Sequence, residues 1–572
     1  MPPKLTDFLI IYNFSAEIAI VKPRCYNNLD FCSGGDRVRF AAAAVSLAIV
    51  FISALSLFRR NNKKTPWGSL TLDDGAVLPL CYSENLVGGA RSCDAVLQTS
   101  RRRCAEAVIR KDSKGNAAVH AFGSKSELSV NGERVRKACE LKDGDTVEAG
   151  GVIAVFHAIA APEPERKGSG WLLFSLLLCL YASLFIEFLP DPTWAALAGF
   201  GGLAALTLVS FVLNRAMGMS SFAVEALGFT LSGIGMTVVL SSEPAFVYRE
   251  LLCLAAGIAL YCILTLFLKS EKGVRALRIP ISTVGLLLLI FSLLTAETIL
   301  GAKNWIRIGG ISFQPSELVK IAFVFAGAAP LYRLHGRKSL VVFIGFSAAC
   351  VGVLALMGDF GTATVFFIAY IVMAFMRSGS FSAVLLSVSG AGLAAFIAVS
   401  AKPYIASRFS AWGRAWELYN EGGYQQTRTM AAAASGGLFG LGAGKGWFKS
   451  VFAADNDLVF GLVSEELGLA VGFAAVLCIC VMALLAVKGI SCGRGGFYSI
   501  AACGAAALML AQMMLNVFGS LDILPLTGVT FPFVSKGGTS LIASWGLAAF
   551  IGAALSPPRK AKAKGGVDFE KA

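Results

Sequence analysis

The chain has 572 residues, 56% of them hydrophobic and only 15% charged, with a mean hydropathy of +0.68. That much apolar side chain exceeds what one water-soluble core absorbs, which excludes a soluble enzyme, and 11% aromatic residues exclude a disordered chain. The formal charge of +14 does not require a nucleic-acid partner, because Lys and Arg retained on the cytoplasmic side of a membrane give the same excess, and three His in all argue against a His-rich metal site or a Ser/His/Asp triad.

Residues 1–39 read as an extracytoplasmic segment. Its apolar stretch is broken by Asp7, Asn13 and Glu17, so it matches neither a signal peptide nor a span. Cys25 and Cys32 there face a compartment in which they can oxidise to a pair. The first span covers 40–58 and is followed at once by Arg59, Arg60, Lys63 and Lys64, a cytoplasmic flank. Residues 65–160 then alternate short apolar runs with turn signals such as Asn131-Gly132, which predicts a small cytoplasmic all-β domain. A linker, 161–170, returns to the membrane.

From Trp171 onward twelve spans are expected, centred near residues 180, 203, 232, 259, 289, 324, 348, 369, 391, 476, 508 and 547, before a basic cytoplasmic tail at 556–572. Six connecting segments on the inner side carry 15 Lys and Arg, and five short outer segments carry four, which sets the orientation. One outer loop, from Lys402 to Asp457, is far longer than the rest, and such loops in tight bundles are usually functional.

Four stretches hold the polar chemistry. GAKNWIRIGGISFQPSELVKI (301–321) places Lys303, Trp305 and Arg307 in a loop and then Glu317 and Lys320 on one helix face. Ionisable residues in a span are costly unless paired, so this pair either faces a cavity or holds helices together. Asp359 precedes the span centred near residue 369. Residues 422–469 bring Gln425 and three cations suited to a diphosphate, Arg428, Lys445 and Lys449, and end in Asp455, Asp457, Glu465 and Glu466. Residues 521–546 carry Pro525, Pro532 and two adjacent glycines, as expected of backbone lining a polar cavity, with Ser535 and Lys536 at the rim.

The strings GAKNWI, FQPSE, GYQ with SGGLFG.G.GKG, D.VF..VSEELG and LPLTG..FPFVS.GG resemble the SEDS family (shape, elongation, division and sporulation; the FtsW/RodA/SpoVE type) over roughly 220–555. The family has ten spans, so the resemblance implies a polytopic helical membrane protein of about 13 transmembrane helices, with the spans within 171–213 and the first span as additions. It also implies a glycosyltransferase that polymerises lipid II at the outer face of the cytoplasmic membrane in cell-wall elongation, division or sporulation. The family's essential aspartate corresponds to Asp457, as base or as the residue orienting the acceptor or a cation. Lys303, Arg408 and Lys445 are candidates for the phosphates, and Trp305, Arg307, Glu317, Lys320, Gln425, Glu466, Ser535 and Lys536 are further substrate-side candidates. Where the family has His-Thr before its aspartate this chain has Asp455-Asn456, and Asp455 with Asp457 is a candidate pair for a divalent cation such as Mg or Mn. A class B penicillin-binding protein is implied as partner. The rival readings are a lipid II flippase and an inactive scaffold.

Within the β domain, VGGARSCDAVL, FGSKSELSVNGERV and LKDGDTVEAGG resemble the forkhead-associated (FHA) family, whose members bind phosphothreonine peptides. Arg91, Ser100, Arg101 and Asn131 are the residues this implies, and a phosphothreonine protein the partner. Gly89 stands where the family has Arg. Residues 101–103 also suit anionic lipid headgroups.

Overall fold

The computed structural model describes residues 34–58, 66–82, 84–90, 93–98, 105–111, 116–122, 127–135, 138–159, 170–189, 193–219, 221–299, 302–308, 311–328, 337–401, 410–491 and 495–556. Cys25, Cys32, Arg91, Ser100, Arg101 and Arg408 lie outside them.

Helix α1 (Gly34–Phe58) leads into eleven strands: β1 (Gly68–Leu72), β2 (Val77–Leu80), β3 (Glu84–Gly88), β4 (Ala95–Val96), β5 (Ala105–Lys111), β6 (Ala117–Ala121), β7 (Leu128–Val130), β8 (Glu133–Arg134), β9 (Ala138–Leu141), β10 (Thr146–Ala149) and β11 (Val152–Ala158). They form two sheets, β2-β1-β11-β10-β7-β8 and β4-β3-β5-β6-β9, which together are an FHA-type sandwich. Alternating apolar residues of both sheets, Leu70, Val87, Ile109, Val119, Val147 and Phe156 among them, close one core separate from that of the helices. Asn131 and Gly132 both take positive φ (50° and 82°), the geometry of a two-residue hairpin turn between β7 and β8.

The helical part runs α2 (Gly170–Ile186), α3 (Trp194–Ala216), α4 (Ala223–Ser242), α5 (Val247–Phe267), α6 (Glu271–Thr295), strands β12 (Glu297–Ile299), β13 (Ala302–Ile308) and β14 (Ile311–Phe313), then α7 (Pro315–Gly327), α8 (Arg337–Leu356), α9 (Phe360–Ser378), α10 (Phe381–Ala401), α11 (Tyr424–Gly436), α12 (Val459–Glu466), α13 (Leu469–Ser491), α14 (Gly496–Ser520) and α15 (Gly538–Leu555). Among the described residues nine helices are long and apolar enough to cross a bilayer, and three more apolar helices are shorter. α7 has 13 residues and starts with Pro315 at its first turn, where the missing N–H costs nothing. α4, α14 and α15 are buried almost throughout and form the centre of the bundle. α1 packs on α2, α4 and α13, and α3 on α2, α4 and α5, so the helices flanking the β domain are part of the same bundle.

Lys303, Trp305 and Arg307, expected in a loop, instead sit on β13, the middle strand of a three-stranded sheet. Strand side chains alternate, so these three share one face while Ile306, on the other, is buried.

Candidate active site

Asp457 lies on a turn that two other segments hold by its backbone. The carbonyl of Asp455 accepts from the Lys536 N–H at 2.9 Å, that of Asn456 from Ser535 Oγ at 2.7 Å, and that of Asp457 from Asn516 Nδ2 at 3.0 Å. Three successive residues are thus fixed from α14 and from the segment between α14 and α15. Asn516 also donates to the Val529 carbonyl at 2.8 Å, and Ser535 Oγ accepts from the Phe531 N–H at 2.8 Å, so the holding segment is itself held. The Asp457 carboxylate stands over Gly528, whose φ is +70°: a Cβ there would be 3.2 Å from Oδ2. Asp457 remains partly exposed.

Lys536 Nζ pairs with Asp455 Oδ2 at 3.0 Å and with Glu243 Oε2 at 2.8 Å. Burial draws its ammonium down, but the bonds to Glu243 and Asp455 outweigh that and hold it above the ordinary lysine value. Among the described residues no group of three or more His, Cys, Asp and Glu converges. With the Asp455 carboxylate bonded to Lys536, these donors do not fit a divalent cation that needs about six oxygen ligands.

The loop after α11 carries Lys445, which is exposed. It is clasped from below by α12. Glu465 accepts the N–H groups of Trp447 (3.2 Å) and Phe448 (3.0 Å), and Glu466 accepts from Ser241 Oγ (2.6 Å) and the Gly444 N–H (3.0 Å). Burial pushes the Glu465 carboxyl up to about 7 against the pull of the Phe448 and Trp447 N–H groups. Glu466, through Ser241 and Gly444, ties the loop to α4. Gln425 Nε2 likewise holds a carbonyl, that of Phe452, at 3.2 Å.

Glu317 and Lys320 form an ion pair at 2.6 Å with both side chains buried, an internal pair of α7. Asp359 caps α9 by accepting the Thr362 N–H at 3.0 Å and also accepts from Asn304 (3.1 Å) and Gln314 (3.3 Å), which ties the β13 sheet to the bundle. Lys303 and Arg307 are exposed on that sheet and Trp305 partly so.

Asn131 is not where a peptide-gripping residue would be. Its amide donates to Asp145 Oδ1 at 3.0 Å and its oxygen accepts the Thr146 N–H at 2.9 Å, so both ends serve the turn. The registers Gly88↔Ala105 and Ala107↔Ala121 place the start of β5, which residues 101–103 precede, at one end of the sandwich. Val147↔Val130 and Ala117↔Leu141 place Asn131 at the other.

Glu243, Asn516 and Gly528 escaped the sequence reading. Asn516 and Gln512, polar and one turn apart in an apolar span, were the available signal.

The family model for cell cycle proteins of the FtsW/RodA/SpoVE type matches residues 200–556, and that for the FHA domain matches 85–150. The chain is 28% identical over 344 residues to the probable peptidoglycan glycosyltransferase FtsW of Bacillus subtilis, covering 54% of this chain and 84% of that protein. It is 25% identical over 431 residues to the peptidoglycan glycosyltransferase RodA of Mycobacterium bovis, covering 69% and 91%. A chain from a peptidoglycan synthase complex, solved for the structural coordination of polymerization and crosslinking, aligns over 58% of this chain and 97% of its own at 25% identity and a TM-score of 0.49.

Proposed function

Because this chain belongs to the FtsW/RodA/SpoVE family of cell cycle proteins, we propose that it polymerises lipid II into glycan strands at the outer face of the cytoplasmic membrane, with Asp457 as the general base. It is a peptidoglycan glycosyltransferase, of a kind with the relatives named FtsW and RodA. The observation that carries the assignment of Asp457 is its backbone, pinned at three successive carbonyls while the residue stays partly exposed. A catalytic group held this way is oriented before substrate arrives.

In the reaction the 4-hydroxyl of an acceptor disaccharide forms a bond to the donor's anomeric carbon as the bond from that carbon to the lipid-linked diphosphate breaks, with inversion. The hydroxyl proton passes to Asp457. The proton moves late, when the forming bond has made the hydroxyl acidic. Negative charge grows on the leaving diphosphate, and Lys445, with Lys303 and Arg307 on the β13 face, supplies the cations that meet it. Glycan strands need cross-linking chemistry, so a class B penicillin-binding protein is the expected partner. The β domain, through its match to the FHA domain, is the expected reader of a phosphothreonine protein on the cytoplasmic side.

The test is glycan synthesis from fluorescent lipid II by purified protein, with and without the transpeptidase. Asp457→Ala is expected to lower the rate by about 10²- to 10⁴-fold with the protein still folded. Polymer made equally well by that variant would overturn the role of Asp457, and none from wild type under any partner condition would overturn the activity.

A further inference from the structure

α1 and α2 precede the stretch that the family model matches, yet their outer ends reach the loop that carries Lys445. Arg39, near the start of α1 and buried, donates from Nη1 to the Gly440 carbonyl at 2.6 Å. The same guanidinium is fixed by Asp36 Oδ1 at 2.6 Å and the Gly35 carbonyl at 3.1 Å, and Glu187, one residue past α2, lies 3.9 Å from its Nε. Phe40 meets Phe439 edge to face with ring centroids 5.7 Å apart. Glu187 in turn accepts the Ala443 N–H and faces Lys445. Burial raises its carboxyl above the ordinary glutamate value, and Arg39 and Lys445 oppose that rise. The fit is close, since a Cβ on Gly442 would stand 3.1 Å from Lys445 Cδ and 3.2 Å from Glu187 Oε2.

A loop of this kind, with positive φ at Gly440, Gly442 and Gly444, has several conformations open to it unless something selects one. Glu465 and Glu466 bind its amide groups. Arg39 binds a carbonyl and Glu187 balances its cation, which the acidic pair beneath does not do. We propose that Arg39 and Glu187 are positioning residues of the transfer reaction, holding the Gly440–Lys445 loop so that the Lys445 ammonium is in place for a lipid-linked diphosphate. This rests on reading Lys445 as a diphosphate contact. A loop ordered beforehand loses less freedom on binding, and the gain appears as affinity for the donor.

The full-length protein and purified lipid II test it through five variants: Arg39→Ala, Arg39→Lys, Glu187→Gln, Lys445→Ala and the Arg39→Ala/Lys445→Ala double. Losing a buried charge-assisted bond is expected to raise KM for the donor about tenfold in Arg39→Ala and Glu187→Gln, with kcat within about twofold. Arg39→Lys is expected to recover part of that. In the Lys445→Ala background the Arg39 change should add nothing, because both act on one contact. A raised KM in Lys445→Ala with unchanged KM in the Arg39 and Glu187 variants would overturn the positioning role alone, as would full additivity in the double variant or a fall in melting temperature with KM unmoved. An unchanged KM in Lys445→Ala would overturn the diphosphate reading on which it rests.

Discussion

Gly528 shows how the placing of the Asp457 carboxylate depends on a residue that has no side chain. Gly528 adopts the left-handed region at φ +70°, which costs other residues about 1–2 kcal/mol, and its missing Cβ leaves room for Asp457 Oδ2. Gly528→Ala is expected to lower the melting temperature modestly and kcat by about 10- to 100-fold, since displacing a reacting group by an ångström is enough. Glycan synthesis by purified, folded protein measures it, and a wild-type rate would show that the carboxylate needs no such clearance. Asp457 was singled out by the resemblance of its segment to the SEDS family, and Asp455 as its neighbour. Gly528 and Asn516 were not, because they meet Asp457 across 71 and 59 residues of chain, and nothing local in a sequence reports such a meeting. The Asp455–Asp457 pairing was misleading for a related reason: Lys536, itself remote, takes up Asp455 and leaves the two carboxylates with different work.

Among the elements, the spanning helices were plain in the sequence because an apolar run of the right length has one stable solution in a bilayer. The β13 sheet was not, since its outer strands have three residues each and glycines surround them, although Lys303, Trp305 and Arg307 already alternated with Ile306 and Ile308. In the sandwich, Asn131-Gly132 was correctly legible as a hairpin turn, and its function was misread because register, which decides the end of the sheet on which a turn lies, is a long-range property. The Asn131–Asp145 contact gives a prediction at this scale. The Lys142 N–H, then the Asn131 amide, hold the Asp145 carboxyl below the ordinary aspartate value. Its folded-state pKa being the lower one, its contribution to domain stability is complete above the unfolded aspartate pKa of about 3.9 and disappears as pH falls through the folded value. Carboxyl NMR of the β domain, which has its own core, should place Asp145 below other aspartates, and Asn131→Ala should move it back toward them. A position unchanged by that substitution would remove Asn131 from the turn's electrostatics.

For the whole molecule, the contacts between distant turns sort onto two faces. Arg39 with Gly440, Ser241 with Glu466, Glu243 with Lys536 and Trp412 with Ile523 lie at one end of the bundle. Lys269 with Met217, Arg278 with Phe325, Lys488 with Ser56 and Glu84 with Gly496 lie at the other. The second group joins segments rich in Lys and Arg, and its Glu84 contact attaches the sandwich to the start of α14. The first holds every residue assigned here to glycosyl transfer. Positive-inside bias predicts that the sandwich end is cytoplasmic and the Asp457 end external. α1 and α2, which flank the β domain, run from the sandwich end of the bundle to the Lys445 loop at the other. A membrane-impermeant thiol reagent tests the orientation in intact cells. A cysteine introduced by Trp416→Cys, at an exposed outer position, should be labelled, while Cys139 in the sandwich should react only after the membrane is opened. The reverse pattern would invert the assignment and, with it, the side of the membrane on which glycan is made.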